Sequence, residues 1–521
     1  MTYTYGTSGS NDDLLARITE IKENTTSLVQ YTYNGIATPM KTTYPQPGLI
    51  LDYTVSTALD RFNRIIDHAW KKSGADIVRI QHGYDRMSNR NYRKDMVSTT
   101  NSELYSYDGI NQVKSLNRGA LNPSNNGITG STFAESWNFD LTGNWLQYVR
   151  AGVTENRTHN KANEIQSTVT HDRNGNMTVM PGLQGKYDAW NRLVEVRNAS
   201  NVVLATYGYN GLNQRVRKTA SNVVTTSFYN SSWQELESIT SNQTTVNIWG
   251  GRYIDDLVLR DRGAERLYLL ADPNWNVIAT TNASGTVQER MRYDAFGKVT
   301  WMNASFSTIA NSAYAWNRTF TGQVLDSESG LMLYRMRYYN TGLGRFISRD
   351  PIGYDAEDAN LYRYVGNRSL IAKDPDGYDV WVENTKDVHG LHQRVCVTTY
   401  DDDCEPTGKY CISFYIDGEG GDAASCGCGG NGNTKGKGAT KGKLPGGIRI
   451  DPNGAGVVGP DYESDPTRES KRSSSCCKED KETLDYFLSL EGTRGHYDPY
   501  WNSNCRTFSQ GCIKEIKKRK K

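Results

Sequence analysis

Nine cysteines and two Asp-Pro-x-Gly motifs hold most of the side chains in this 521-residue chain that could do chemistry. All nine cysteines lie after residue 378. Cys505 follows Asn504, a good N-cap, at the start of a segment with helical character that runs through Cys512 and Ile516 into Lys517–Lys521. A thiol at a helix N-terminus feels the positive end of the macrodipole, which favours the thiolate and makes a nucleophile. A disulfide reading competes, with Cys396, Cys404, Cys411, Cys476, Cys477 and Cys512 stapling a small secreted domain. Cys426-Gly427-Cys428 has one intervening residue and no matching second pair, so neither a metal nor a cofactor is expected. Asp350-Pro351-Ile352-Gly353 and Asp374-Pro375-Asp376-Gly377 are standard turn chemistry when read singly.

The elements that must position these groups follow from composition and periodicity. Hydrophobic residues make up only 36% of the chain, whereas Tyr occurs 33 times and Gly 49 times. Such a chain suits a large, wet β surface with many turns rather than a helical bundle. A net charge of +2 offers no global attraction to nucleic acid or membrane. The Lys517–Lys521 run reads as solvated charge at a helix C-terminus. No apolar run is long enough for a membrane-spanning helix, and Met1–Leu15 lacks the pattern of a secretory signal. The chain opens in mid-pattern, as though repeats precede it.

One pattern recurs through the first 300 residues: an aromatic, Asp or Asn, two linkers, then Asn or Gly with a basic or amide residue. Copies begin at Tyr84-Asp85, Tyr107-Asp108, Phe139-Asp140, His171-Asp172, Tyr187-Asp188, Tyr209-Asn210 and Tyr293-Asp294. Each predicts a hairpin in which Asp or Asn bonds its own backbone two residues on, and Asn or Gly supplies the positive φ. These residues resemble the YD repeat of the RHS family, shared by bacterial RHS proteins, Tc toxin C components and animal teneurins. The resemblance covers residues 1 to about 378 and implies a mainly β fold, a spiralling sheet that closes into a hollow shell. The expected division is repeats over 1–300, a repeat-associated core over 301–378 and a small α+β cysteine-rich domain over 379–521. A Gly/Lys-rich stretch near 418–460 reads as flexible.

The run from Thr321-Gly322-Gln323 through Tyr334-Arg335-Met336-Arg337-Tyr338-Tyr339 to Asn360-Leu361-Tyr362-Arg363-Tyr364 and Asp374-Pro375-Asp376-Gly377-Tyr378 is similar to the RHS-associated core almost residue for residue. In that family the DPxG motifs mark the junction with a variable C-terminal domain, and many members are cut just after the second. The resemblance implies Asp350 and Asp374 as an aspartic-protease-like pair, Arg349 as a neighbouring charge, and scission after Tyr378. Members that cleave usually carry Leu or Trp where this chain has Tyr378. Two carboxylates forced together share a proton and divide into acid and base.

Beyond Tyr378, strands are predicted over 378–382, 392–400 and 409–416, and helices over 479–490 and 504–516. Asn504-Cys505-Arg506-Thr507-Phe508-Ser509 looks like the NCxxF-type helix of permuted papain-like thiol enzymes. That resemblance implies Cys505 as nucleophile and His392 as general base, with His389 and His496 as weaker alternatives. Two functions follow as expectations. One is a shell carrying a C-terminal effector or toxin domain, with that domain, an immunity protein or a target-cell component as partner. The other is a secreted or cell-surface recognition protein with a non-enzymatic, disulfide-stapled end.

Overall fold

The computed structural model describes the chain except residues 36–37, 357, 379–380, 383–393, 401–405, 415–447 and 452–521. It divides into two units, Met1–Gly6 with Ile18–Asn384, and Thr7–Arg17 with Thr385–Lys521. In the first unit, thirteen strands from Thr2–Thr4 to Val153–Asn156 form one antiparallel sheet in chain order. Fifteen more, from Thr170–His171 to Thr308–Ile309, form a second, so the strands of the repeat region run slightly past residue 300. The fold is mainly β, the spiralling YD-repeat sheet expected from the sequence. Among the described residues, no helix is long and apolar enough to cross a membrane.

Six of the seven repeats close their hairpins in the same way, whereas Asp294 turns its carboxylate to Arg150. Asp188 Oδ1 accepts the N–H groups of Trp190 (2.9 Å) and Arg192 (3.0 Å), while Arg192 Nε returns to Oδ2 at 2.7 Å. Asp85, Asp140 and Asp172 repeat this arrangement, with Asn in place of Arg. The third residue after each Asp or Asn takes a positive φ, as at Ser88 (65°), Asn111 (67°) and Asn213 (68°). The aromatic that opens a repeat has its own partner. Tyr107, Tyr187, Tyr209 and Tyr293 donate their hydroxyls to the carbonyls of Arg90, Met177, Leu193 and Val277, each five residues beyond the Asp or Asn of the preceding turn. The same side-chain bond to the N–H two residues on marks further copies, starting at Asp60, Asn160, Asn230 and Asp272. Leu59 and Ala271 stand where two of these copies would carry an aromatic.

Neighbouring turns also bond to one another. Arg64 Nη1 reaches Asp85 O at 3.0 Å, Asn89 Nδ2 reaches Asn111 Oδ1 at 2.8 Å, and Asn176 Nδ2 reaches Asn191 Oδ1 at 2.9 Å. Where the series is interrupted, the segment after residue 311 supplies the link. Asn367 Nδ2 bridges Gln112 Oε1 (2.7 Å) and Gly143 O (2.8 Å), and the Tyr362 hydroxyl donates to Gly175 O at 2.7 Å beside Glu164.

The two large sheets pack face to face through part of their length. Trp70 Nε1 donates to Ala271 O at 3.3 Å, Tyr44 meets Tyr268 at 5.4 Å between ring centroids, and Arg150 pairs with Asp294 at 2.6 Å. Leu257–Arg262 and Glu265–Ala271 are therefore buried on both faces along much of their length, unlike the half-exposed Val223–Tyr229. The core segment adds a four-stranded sheet, Val324–Asp326, Leu331–Tyr334, Arg337–Asn340 and Arg345–Phe346. Its aromatic cluster joins Phe320, Tyr334, Tyr339, Phe346 and Tyr364. Ala372–Lys373 then pairs antiparallel with Trp381–Val382.

In the second unit, Arg394–Tyr400, Pro406–Phe414 and Ile448–Asp451 form a three-stranded antiparallel sheet. The helices expected over 479–490 and 504–516 lie outside the described residues.

Removing one repeat carboxylate tests the turn chemistry. Asp188→Ala leaves two N–H groups and a guanidinium without their acceptor and should cost about 2 kcal/mol, against about 1 kcal/mol for Tyr209→Phe. Urea unfolding would measure both, and a cost below about 0.5 kcal/mol for Asp188→Ala, typical of an indifferent surface site, would contradict this account.

Candidate functional site

The two DPxG segments converge on one guanidinium. Arg337 opens the strand Arg337–Asn340, directly after a two-residue turn in which Arg335 adopts φ 44°. Its Nη2 lies 2.8 Å from Asp350 Oδ2 and 3.4 Å from Asp374 Oδ2. All three side chains are buried, and the Arg337 guanidinium rests 3.6 Å from the centre of the Phe346 ring. Arg337 Nη1 also donates to Leu361 O at 3.3 Å.

Each aspartate divides its oxygens between two tasks. Asp350 Oδ1 accepts the Ile352 N–H at 3.0 Å, and Asp374 Oδ1 accepts the N–H groups of Gly377 (2.7 Å) and Tyr378 (3.1 Å). The first is an Asx turn, and the second is a wider turn closed three and four residues on. The remaining oxygen of each faces Arg337. The turn motif therefore orients the carboxylate pair.

The backbone around Asp374 is held on every side. Pro375 O accepts from Arg335 Nη1 and from Gln323 Nε2, both of which also bind Asp255. Met336 N–H donates to Asp376 O at 3.2 Å. Gly377 has φ 76°, and a Cβ there would sit 2.5 Å from Tyr334 O, so only glycine fits. Tyr378 is half-buried at the end of this anchored run.

Burial pushes the Asp374 carboxyl up to about 7, against a smaller downward pull from Arg337 and the Gly377 N–H. Burial also pushes the Arg337 guanidinium down, despite the two aspartates. The Tyr378 hydroxyl is raised, by burial first and then by Asp350. A carboxyl that keeps its proton near neutrality, beside another salt-bridged carboxylate, has the asymmetry that acid–base chemistry needs.

Arg349, expected beside the pair, faces elsewhere. Its Nη2 binds Glu164 at 2.7 Å and its Nε contacts the Tyr362 hydroxyl at 3.3 Å, clamping the core segment against the Asn160 turn. Arg349 is partly exposed whereas Asp350 is buried, so the two neighbours face different surroundings. Arg337 fills the place instead. No sequence signal singles it out, because Arg335 stands between Tyr334 and Tyr338 as well. Cys505 and His392, with His389 and His496, lie outside the described residues. Among the described residues, no cluster of His, Cys, Asp and Glu is arranged to hold a metal ion.

Strand order, turn chemistry and the core segment define an RHS-type YD shell. The Teneurin YD-shell family model matches residues 2–370, and the chain belongs to that family. Over 239 residues it is 26% identical to the tRNA3(Ser)-specific nuclease WapA of Bacillus spizizenii, covering 44% of this chain and 10% of WapA. Over 91 residues it is 33% identical to toxin subunit YenC1 of Yersinia entomophaga, covering 18% of this chain and 9% of YenC1. The chain thus spans about a tenth of these relatives' length. A crystal structure of a TcdB2–TccC3–Cdc42 complex superposes with a TM-score of 0.56 at 19% identity, over 68% of this chain and 19% of that one. That likeness establishes the shell fold.

The Asp374 environment has a consequence for stability. Its folded pKa is raised from 3.8 to about 7, so the folded state binds the proton more tightly. The associated stability is fully present below the unfolded value and is lost as pH rises through the folded one. Glu135, raised to about 7 by burial and then by Asp294, acts in the same direction. Urea midpoints should therefore fall between pH 5 and pH 8, and fall less in Asp374→Asn. Equal declines in both proteins would rule out a protonated Asp374.

Proposed function

We propose that this chain is the shell and cleavage module of a toxin-like RHS protein, which frees residues 379–521 by aspartate-dependent hydrolysis after Tyr378. The observation that carries the reading is the convergence of Asp350 and Asp374 on the buried Arg337, with Asp374 bonded to the Tyr378 N–H. Asp350 takes a proton from a water molecule as its oxygen attacks the Tyr378 carbonyl carbon. The protonated Asp374 donates to the leaving amide nitrogen of residue 379 as the C–N bond breaks. Arg337 holds both carboxyls in place and offsets charge during the transfer. The anchored Pro375–Gly377 backbone keeps the peptide from retreating.

The pairing of Ala372–Lys373 with Trp381–Val382 spans the expected cut. Hydrolysis alone would leave those strands joined, so scission is read under denaturing conditions. Intact mass spectrometry of the purified chain should show fragments ending at Tyr378 and beginning at residue 379. Asp350→Asn and Asp374→Asn should each slow their appearance about 100-fold or more, the scale of a lost acid or base. A single full-length species in the unsubstituted protein, or unchanged cleavage in both variants, would sink the protease reading.

The freed domain is proposed to act outside the producing cell as a thiol-dependent effector, supported by toxins among the relatives and by the sequence around Cys505. A thiol-reactive probe at neutral pH should label Cys505 ahead of the other cysteines, and His392→Ala should abolish that preference. Uniformly inert cysteines would end the thiol-enzyme reading while leaving the cleavage proposal intact.

A further inference from the structure

The repeat turns lie at one end of the strands and carry side chains that turn formation does not need. At the second position after the Asp or Asn stand Phe62, Met87, Ile110, Trp190 and Leu212, and at the first stands Leu141. Their exposures run from 56% at Phe62 to 102% at Leu141. Single exposed apolar residues are ordinary on a protein surface. These recur at nearly one repeat position, however, on turns that successive hairpins bring about 10 Å apart. The hydrogen bonds between neighbouring turns hold them in series.

The opposite strand ends provide an internal comparison. Several of their turns are made from Ser73-Gly74, Ser221-Asn222, Ser241-Asn242 and Ala283-Ser284-Gly285. Both ends need turn formers, yet the large apolar tips cluster mainly on the repeat side. Basic residues join them there. Arg61, Arg86, Lys161 and Arg173 occupy the first position after the Asp or Asn, and all four are exposed. From the Asp60 turn to the Asn210 turn, none of the three tip positions carries an acid. The side chains of Asp60, Asp85, Asp108, Asp140, Asp172 and Asp188 turn back into their own loops.

We propose that this rim is a peripheral docking surface for an anionic lipid bilayer. Interleaved cations and apolar tips match a surface with negative headgroups above acyl chains. Met87, Ile110, Leu141 and Leu212 are aliphatic, which favours acyl chains over the stacking that nucleic-acid bases require. The proposal uses none of the cleavage residues, although the Asn210 turn touches the core segment where Asn213 meets Met336.

Vesicle co-sedimentation of the full chain tests it, with phosphatidylcholine vesicles containing or lacking phosphatidylglycerol. The chain should sediment with the anionic vesicles and lose most binding as salt is raised. Met87→Ser/Ile110→Ser/Leu141→Ser should weaken binding about tenfold or more, and Arg61→Glu/Arg86→Glu about fivefold or more. These tips are exposed, so both variants should keep the original melting temperature. Failure to bind anionic vesicles, or equal binding by folded variants, would overturn the proposal. So would indifference to phosphatidylglycerol, or tip-dependent binding of a single-stranded RNA in place of vesicles. Tip-dependent self-association without lipid would assign the rim to a second copy of this chain and overturn it too.

Discussion

A hairpin turn points backbone N–H groups into its own loop, where no strand can accept from them. In this molecule the carboxylate or amide oxygen of an Asp or Asn fills that need in repeat after repeat. The rest of the architecture depends on this interaction. It sets the register shift beside each turn and leaves the second oxygen or amide free to bind the residue four positions on. Those fourth residues, or the third, then reach the next turn. A local rule of a few residues thus becomes a continuous bonded series around two sheets.

The same interaction, used twice more at Asp350 and Asp374, makes a site. A side-chain bond to the turn's own N–H groups occupies one carboxylate oxygen and fixes the direction of the other. When two such turns face one buried arginine, structural chemistry yields a pair of oriented carboxyls at no extra conformational cost. Burial then separates their behaviour, since desolvation of Asp374 outweighs the attraction of Arg337. The Gly377 backbone, packed against Tyr334 O, and the Arg335–Asp255 pair prevent the turn from relaxing.

The core segment links these two levels. Asn367, Tyr362 and Arg349 tie it to repeat turns near residues 112, 143, 164 and 175. Its own aromatic cluster forms one wall beside Arg337. Weakening the repeat turns it grips would therefore disturb the carboxylate pair without touching either aspartate.

Much of this was legible in the chain. Aromatic–Asp spacing predicted hairpins because the turn is a local hydrogen-bonding event between residues two to four apart. The DPxG motifs were visible for the same reason, as was the cysteine-free character of everything before residue 378. Repeats at Asp60 and Asp272 were missed because Leu59 and Ala271 replace the expected aromatic, and those at Asn160 and Asn230 because Glu164 and Trp233 break the pattern, while the Asx bond persists in all four. Arg337 and Arg349 could not be told apart in role by sequence. Each stands near an aspartate or a tyrosine in the chain, but direction depends on strand register and on what packs against each face. Sequence determined where the chain turns. Only the tertiary structure decided which buried cation the two aspartates share, because desolvation and charge pairing act through space.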